Sequence, residues 1–349
     1  MLFSSLLYTL LATASSVTAQ HHPKTITHTV IPGIFQQDDP ATNASTFNFT
    51  TTNFGLINRP YPSDSSCPNQ THSTQWQRLS HYITTLNRQA PKNEHYKLFF
   101  LGRHGEGFHN AAESYFGTPA WNCYWSERDG NATVTWADAK LTETGKRQAL
   151  RVKAFWNQLI VHEKISPPQT FYTSPLYRCL DTARLTFEGV ALPRNTRFVP
   201  VVKEFLREGI SAHTCDRRRS KTFIRENFPG YRFEEGFVEE DPFWTKLFAE
   251  PQVNQDARSK AVLDDIVSSD GSVVISVTSH SGEIASLLRV LGHRPFSLST
   301  GSAIPVLVKS TTLNVPAPPT MTLPYTPQKT CSAPPPIRDS SCNDCSCCS

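Results

Sequence analysis

Charge is scarce in this chain. Asp, Glu, Lys and Arg make up 18% of 349 residues, and the formal net charge is +4. A nucleic-acid binder needs a dense basic face, so this composition argues against one as a partner. The only basic cluster, Arg217 to Arg219 with Lys221, reads as a solvated loop. Long apolar runs are missing beyond the start of the chain. No later segment approaches the ~20 apolar residues that a bilayer span requires, so no membrane partner is expected. No hydrophobic stretch closes the chain, so no glycolipid-anchor signal is expected. No internal repeat is visible. The cysteine-rich end has no histidine and no zinc-module spacing, so no metal is expected there.

The start of the chain is different. Leu2 to Leu11 is mostly apolar, and Val17-Thr18-Ala19 has the small or branched residues of a cleavage site. Residues 1 to 19 therefore read as a signal peptide, and the expected location is extracellular or cell wall. Sequons at Asn43, Asn48, Asn69 and Asn131 agree with export and predict N-glycans at those four positions.

Residues 20 to 92 are polar and rich in Thr, Asn and Pro, and read as an extended arm with one short helix near Gln75 to Leu86. Residues 311 to 349 contain Pro316, Pro318, Pro319, Pro324, Pro327 and Pro334 to Pro336. Such a stretch buries too little apolar surface to offset its ordering entropy, and disorder is expected. The 9 cysteines divide between the two regions. Cys67, Cys123, Cys179 and Cys215 lie in or near the folded part, where they could form two disulfides in any of three connectivities. Cys179 reads equally well as a buried free thiol.

Between residues 93 and 310, strands and helices alternate. Tyr96 to Leu101, Phe171 to Thr173, Thr196 to Val202, Val273 to Thr278 and Ile304 to Val308 read as strands. Helices are predicted from Glu143 to His162 with Thr142 as cap, after Ser174-Pro175, and from Ser281 to Leu291. This alternation predicts an α/β three-layer sandwich around a mostly parallel sheet. Ligands in such folds sit beyond the carboxyl ends of the strands.

Polar residues collect at those ends. Arg103-His104-Gly105-Glu106-Gly107-Phe108-His109-Asn110 follows the first strand and Ser174-Pro175-Leu176-Tyr177-Arg178 the second. Glu204 to Gly209 follows the third and Ser279-His280-Ser281-Gly282 the fourth. With these blocks, the chain resembles the histidine phosphatase superfamily in its phosphoglycerate-mutase-like branch. Trp136-Ala137-Asp138, Leu141-Thr142-Glu143-Thr144-Gly145 and Leu206-Arg207-Glu208 extend the match, which covers about residues 96 to 310. Trp121-Asn122-Cys123-Tyr124-Trp125 and His213-Thr214-Cys215-Asp216 are similar to stretches of secreted fungal members.

The resemblance implies catalytic roles for His104, Glu208 and His280. His104 would attack phosphorus, and two guanidiniums nearby favour the neutral form it needs. His280 would stabilise transition-state charge. Glu208 would protonate the leaving oxygen, with Glu204 and Glu106 as second choices. Arg103, Asn110 and Arg178 would bind phosphate, the arginines through forked N–H groups. His109 reads as structural. His213 and Arg217 to Arg219 are candidates for the substrate mouth. No metal or other cofactor is implied, since arginine and histidine already supply positive charge.

Two departures bear on function. Many relatives have Gly directly after the second histidine, whereas Ser281 stands here and Gly282 follows. The Arg-His-Gly-x-Arg-x-Pro pattern and His-Asp pair of the phytase branch are also missing, which argues against inositol hexakisphosphate. The expected activity is a secreted phosphomonoesterase that works on a phosphorylated small molecule through a phosphohistidine. A phosphoglycerate-mutase-type phosphotransferase and a non-catalytic phospho-ligand binder are the alternatives.

Overall fold

The computed structural model describes residues 24–69, 72–194, 196–316, 318–338 and 344–347. The expected signal peptide lies outside the described residues. In chain order the regular elements begin with β1 (Thr25–Val30), α1 (Gln75–Gln89), β2 (Glu94–Arg103), α2 (Phe108–Phe116) and α3 (Thr118–Cys123). There follow α4 (Glu143–Gln158), β3 (Thr170–Thr173), α5 (Tyr177–Phe187), β4 (Val201–Val202), α6 (Lys221–Asn227) and β5 (Arg232–Phe233). The chain continues through β6 (Phe248–Ala249), α7 (Gln252–Ser269), β7 (Val274–Ser279), α8 (Ser281–Val290), β8 (Ala303–Leu313) and β9 (Thr326–Pro327).

Seven strands form one sheet in the order β1-β8-β2-β7-β3-β4-β5. From β2 to β5 every neighbour is parallel, and β8 runs antiparallel between β1 and β2. Side-chain alternation along β2 explains the layering. Leu98 and Phe100 point to one face, where Trp76 of α1 and Phe155 and Trp156 of α4 cover them. Phe99 and Leu101 point to the other, against Val262 and Leu263 of α7 and Ile284 and Leu287 of α8. The sheet is covered on both sides, so its central strands are apolar throughout.

The N-terminal segment is no extended arm. Thr25–Val30 pairs with β8 in the main sheet, from Thr25 opposite Leu313 to Val30 opposite Val308. Phe35, Phe49 and Phe54 are buried on the Phe100–Trp156 face. The segment looks polar because a limited set of apolar residues in it, many of them aromatic, does the packing. Those residues cover an apolar sheet face that would otherwise meet water.

The C-terminal segment also corrects the sequence reading. β9 pairs with β6, the Cys331 amide donates to the Cys123 carbonyl, and Cys345 is disulfide-bonded to Cys123. Cys331 is disulfide-bonded too. Covalent cross-links order a stretch whose own apolar surface could not. Cys67, Cys179 and Cys215 are free and buried, so the expected pairing among the first four cysteines is not made.

Smaller differences concern element ends. Thr142 caps α4 as expected, accepting from the Gly145 amide, and a single π turn continues that helix to Glu163. The predicted strand from Thr196 shrinks to Val201–Val202. α5 starts at Tyr177 with Leu176 as N-cap. Ser174 is thereby freed from capping and turns its hydroxyl to the histidine site described next.

Among the described residues, no helix is long and apolar enough to cross a membrane. The side chains of Asn43, Asn48, Asn69 and Asn131 are exposed.

Candidate active site

His104 directly follows β2, Ser174 follows β3 and His280 follows β7. Parallel neighbours in register bring these three strand ends to one edge. The His104 amide donates to the Ser279 carbonyl at 3.0 Å, which ties the two histidine loops together. Gly105 is required by close approach: a Cβ there would lie 2.3 Å from the Gly145 carbonyl oxygen. The loop after β2 is thus pressed against the first turn of α4.

His104 is 1% exposed, and its Nδ1 lies 2.7 Å from the Gly105 carbonyl oxygen. A carbonyl only accepts, so Nδ1 carries the hydrogen and Nε2 keeps a lone pair. Burial, then the charges of Arg178 and Arg103, hold the imidazole well below its ordinary pKa. His104 is therefore a neutral base in a cationic surround. The His280 ring centroid is 5.1 Å away.

His280 is fixed from two sides. Arg178 Nε donates to its Nδ1 at 3.2 Å, so the hydrogen sits on Nε2, which donates to Ser174 Oγ at 2.7 Å. Arg178 is fixed in turn. It donates to the Cys215 carbonyl and, at 2.8 Å, to Asp216 Oδ1, and both members of this ion pair are buried. Thr182 braces the first loop from α5: its hydroxyl accepts from the Gly105 amide and donates to the Arg178 carbonyl. Asp138 accepts from the Tyr177 amide at the start of α5, and burial pushes its pKa up to about 6.

Arg103 closes another side. It donates to the Leu298 carbonyl at 2.7 Å, and its buried Nε has no partner among the described residues. Asn110 accepts from the Gly107 amide through Oδ1, which leaves its amide hydrogens able to donate. The Glu208 carboxylate sits at the N-terminus of α8, where it accepts from the amides of Gly209, Gly282 and Glu283 at 3.0, 3.2 and 3.1 Å. This gives the Ser281-Gly282 departure a physical reason. A Cβ at Gly282 would lie 2.3 Å from Glu208 Oε1, so the glycine is needed one position later, where the carboxylate lands. Gly282→Ala is expected to dislodge Glu208 and cut kcat at least about tenfold. A steady-state assay checks this, and a wild-type rate would count against the placement.

The other carboxylates proposed as acids are engaged elsewhere. Glu204 is buried in ion pairs with Arg207 and Arg218, and Glu106 Oε1 accepts from the Thr142 hydroxyl. Arg218 is no solvated residue. Its guanidinium is buried and donates to Glu204 and to the carbonyls of Arg219, Val238, Glu239 and Glu240. Arg217 pairs with Asp129 at the surface. Trp121, Trp125 and Trp136 pack with Phe116 in a satellite core.

His213, Cys215 and Asp216 bring their ligand atoms within 4.8 Å of one another. They fit a cation poorly. Asp216 already neutralises Arg178, and burial pushes the Cys215 thiol well above its ordinary pKa. Sequence reasoning missed the supporting roles of Ser174, Thr182 and Asp216. Asp216 belongs to a stretch the resemblance singled out, but nothing local marks it as a counterion for Arg178, 38 positions away. His109, read as structural, lies with its ring centroid 5.3 Å from that of His104.

Residues 99–305 match the profile of the histidine phosphatase superfamily (branch 1), and the chain belongs to that family. Its topology, a mostly parallel sheet covered by helices on both faces with the histidines at the strand ends, is the expected α/β fold. A curated relative is the "Probable phosphoglycerate mutase" of Arthroderma benhamiae. It is 45% identical over 284 residues, covering 81% of this chain and 84% of the relative. "Phosphomutase-like protein 3" of Candida albicans is 42% identical over 213 residues, covering 61% of this chain and 65% of the relative. Among solved structures, a mycobacterial glucosyl-3-phosphoglycerate phosphatase matches at 18% identity with a TM-score of 0.36, covering 63% of this chain and 99% of that one.

Proposed function

We propose that the chain is an exported, N-glycosylated phosphomonoesterase that takes the phosphoryl group of a phosphorylated small molecule onto Nε2 of His104. The observation that carries this reading is the tautomer. Nδ1–H is committed to the Gly105 carbonyl, so a neutral Nε2 lone pair stands beside His280 and Arg178. Attack forms an N–P bond as the P–O bond breaks, and Glu208 is the group assigned to the leaving oxygen's proton. Water then hydrolyses the phosphohistidine. The positive charge that a metal supplies elsewhere comes here from Arg103 and Arg178.

The test is turnover of 4-nitrophenyl phosphate together with trapping of an acid-labile, base-stable phosphoenzyme. A trapped phosphoserine would overturn the proposal. The names of the relatives favour a second reading, a mutase that returns the phosphoryl group to a bound product. Assay on 3-phosphoglycerate with and without 2,3-bisphosphoglycerate separates the two, since only a mutase isomerises in a bisphosphate-dependent way. Export rests on the signal-like start and the exposed sequons. It is tested by a mass loss of the secreted protein on treatment with an N-glycosidase.

The pH profile tests the electrostatics. His104 is held below 6.5 by burial and by Arg178 and Arg103. Protonation consumes the lone pair, so activity is whole above the folded pKa and is lost as pH falls through it. The acid limb of kcat/KM is therefore expected below 6.5. The same sign holds for stability: the unfolded histidine takes up a proton first, so acid destabilises the fold. A limb assigned to His104 at or above its ordinary value would contradict the burial argument.

A further inference from the structure

His109 stands in the first turn of α2, five positions after His104 and one before Asn110. It is 8% exposed, and its buried Nδ1 has no hydrogen-bond partner among the described residues. Leaving a buried polar group unpaired is costly, and native proteins seldom tolerate it without a reason. The residue is also packed deliberately close. Gly107 has no Cβ, and one placed there would lie 2.6 Å from His109 Nδ1. The glycine thus admits the imidazole to its place 5.3 Å, ring to ring, from His104.

The donors around His104 are fewer than the sequence suggests. Arg178 has already committed N–H groups to His280, Cys215 and Asp216, and His280 has committed Nε2–H to Ser174. A phosphoryl group on His104 presents three oxygens to be satisfied. Beside the free Arg103 Nε–H and the Asn110 amide, the His109 imidazole, close to the ring that carries the phosphorus and with no protein partner at Nδ1, offers a further donor.

We propose that His109 is a substrate-contacting residue whose ring N–H donates a hydrogen bond to the phosphoryl group while it is transferred to and from His104. The inference rests on the phosphohistidine reading above and deepens it. The imidazole serves as a neutral donor, so no proton need leave it. Its partner is the anion, which explains why the protein supplies none.

Two variants and one spectrum test it. His109→Phe keeps a ring of similar size and removes the donor, and His109→Gln keeps an N–H. Loss of one donor aimed at a transition state costs on the order of a hundredfold in kcat. His109→Phe should therefore lose about that much, with a parallel loss in inhibition by vanadate, and His109→Gln should recover part of both. Wild-type kcat and vanadate affinity in a folded His109→Phe would overturn the proposal. Should that variant fail to fold, the wild-type protein with 15N-labelled histidine decides. On addition of vanadate the His109 ring signals should shift together with those of His104 and His280. If those two shift and His109 does not, the inference fails and the phosphohistidine reading stands. If none of the three shifts, the reading of the site itself fails.

Discussion

Replacement of His104 by alanine is expected to abolish turnover. Removal of a catalytic nucleophile typically lowers kcat by several orders of magnitude, so a fall of at least about 10⁴-fold is expected. The fold should survive. The backbone contacts of this position, to Ser279 and from Gly301, do not depend on the imidazole. Arg178, His280 and Ser174 keep their mutual hydrogen bonds without it. The measurement is steady-state hydrolysis of 4-nitrophenyl phosphate beside a phosphoenzyme trap and a thermal melt. A folded His104→Ala protein that retains a tenth of wild-type activity would place the chemistry elsewhere.

The second large effect is on stability and rate together. Asp216→Ala leaves the Arg178 guanidinium, 1% exposed, without its carboxylate. Breaking a buried pair from one side costs about 3–5 kcal/mol, because an uncompensated charge remains in the interior. An exposed pair makes the contrast. Arg217 and Asp129 are just as close, 2.7 Å apart, but their side chains are 37% and 64% exposed, so Asp129→Ala should cost less than about 1 kcal/mol. Urea unfolding of the two variants should show that difference. Asp216→Ala should also lower kcat/KM, since Arg178 orients His280 through its Nε. Equal, small losses in the two variants would mean that Asp216 does not anchor the site.

How much of this was legible in advance depends on the range of the interaction. Arg103, His104, Arg178, Glu208 and His280 were legible because each ends a strand or lies in the segment after one, and strand ends of a parallel sheet converge. The N-terminal strand was not. Thr25–Val30 alternates threonine with Ile26, His28 and Val30, but it is short and lies in a polar stretch, and it joins the sheet because β8 offers it an open edge. The order of the C-terminal segment was not legible either, since it follows from a disulfide between positions 222 apart.

The sequence by itself determined the alternation of strands and helices, the two histidines and two arginines at the strand ends, and the glycines that let loops approach. These are local properties: hydrophobic period, turn chemistry and the presence or absence of a Cβ. Tertiary structure alone decided which acid is placed at α8, which carboxylate neutralises Arg178, which cysteine Cys123 meets, and that His109 faces His104. Each is a contact between groups brought together by packing, and no local pattern in the chain encodes the distance between them.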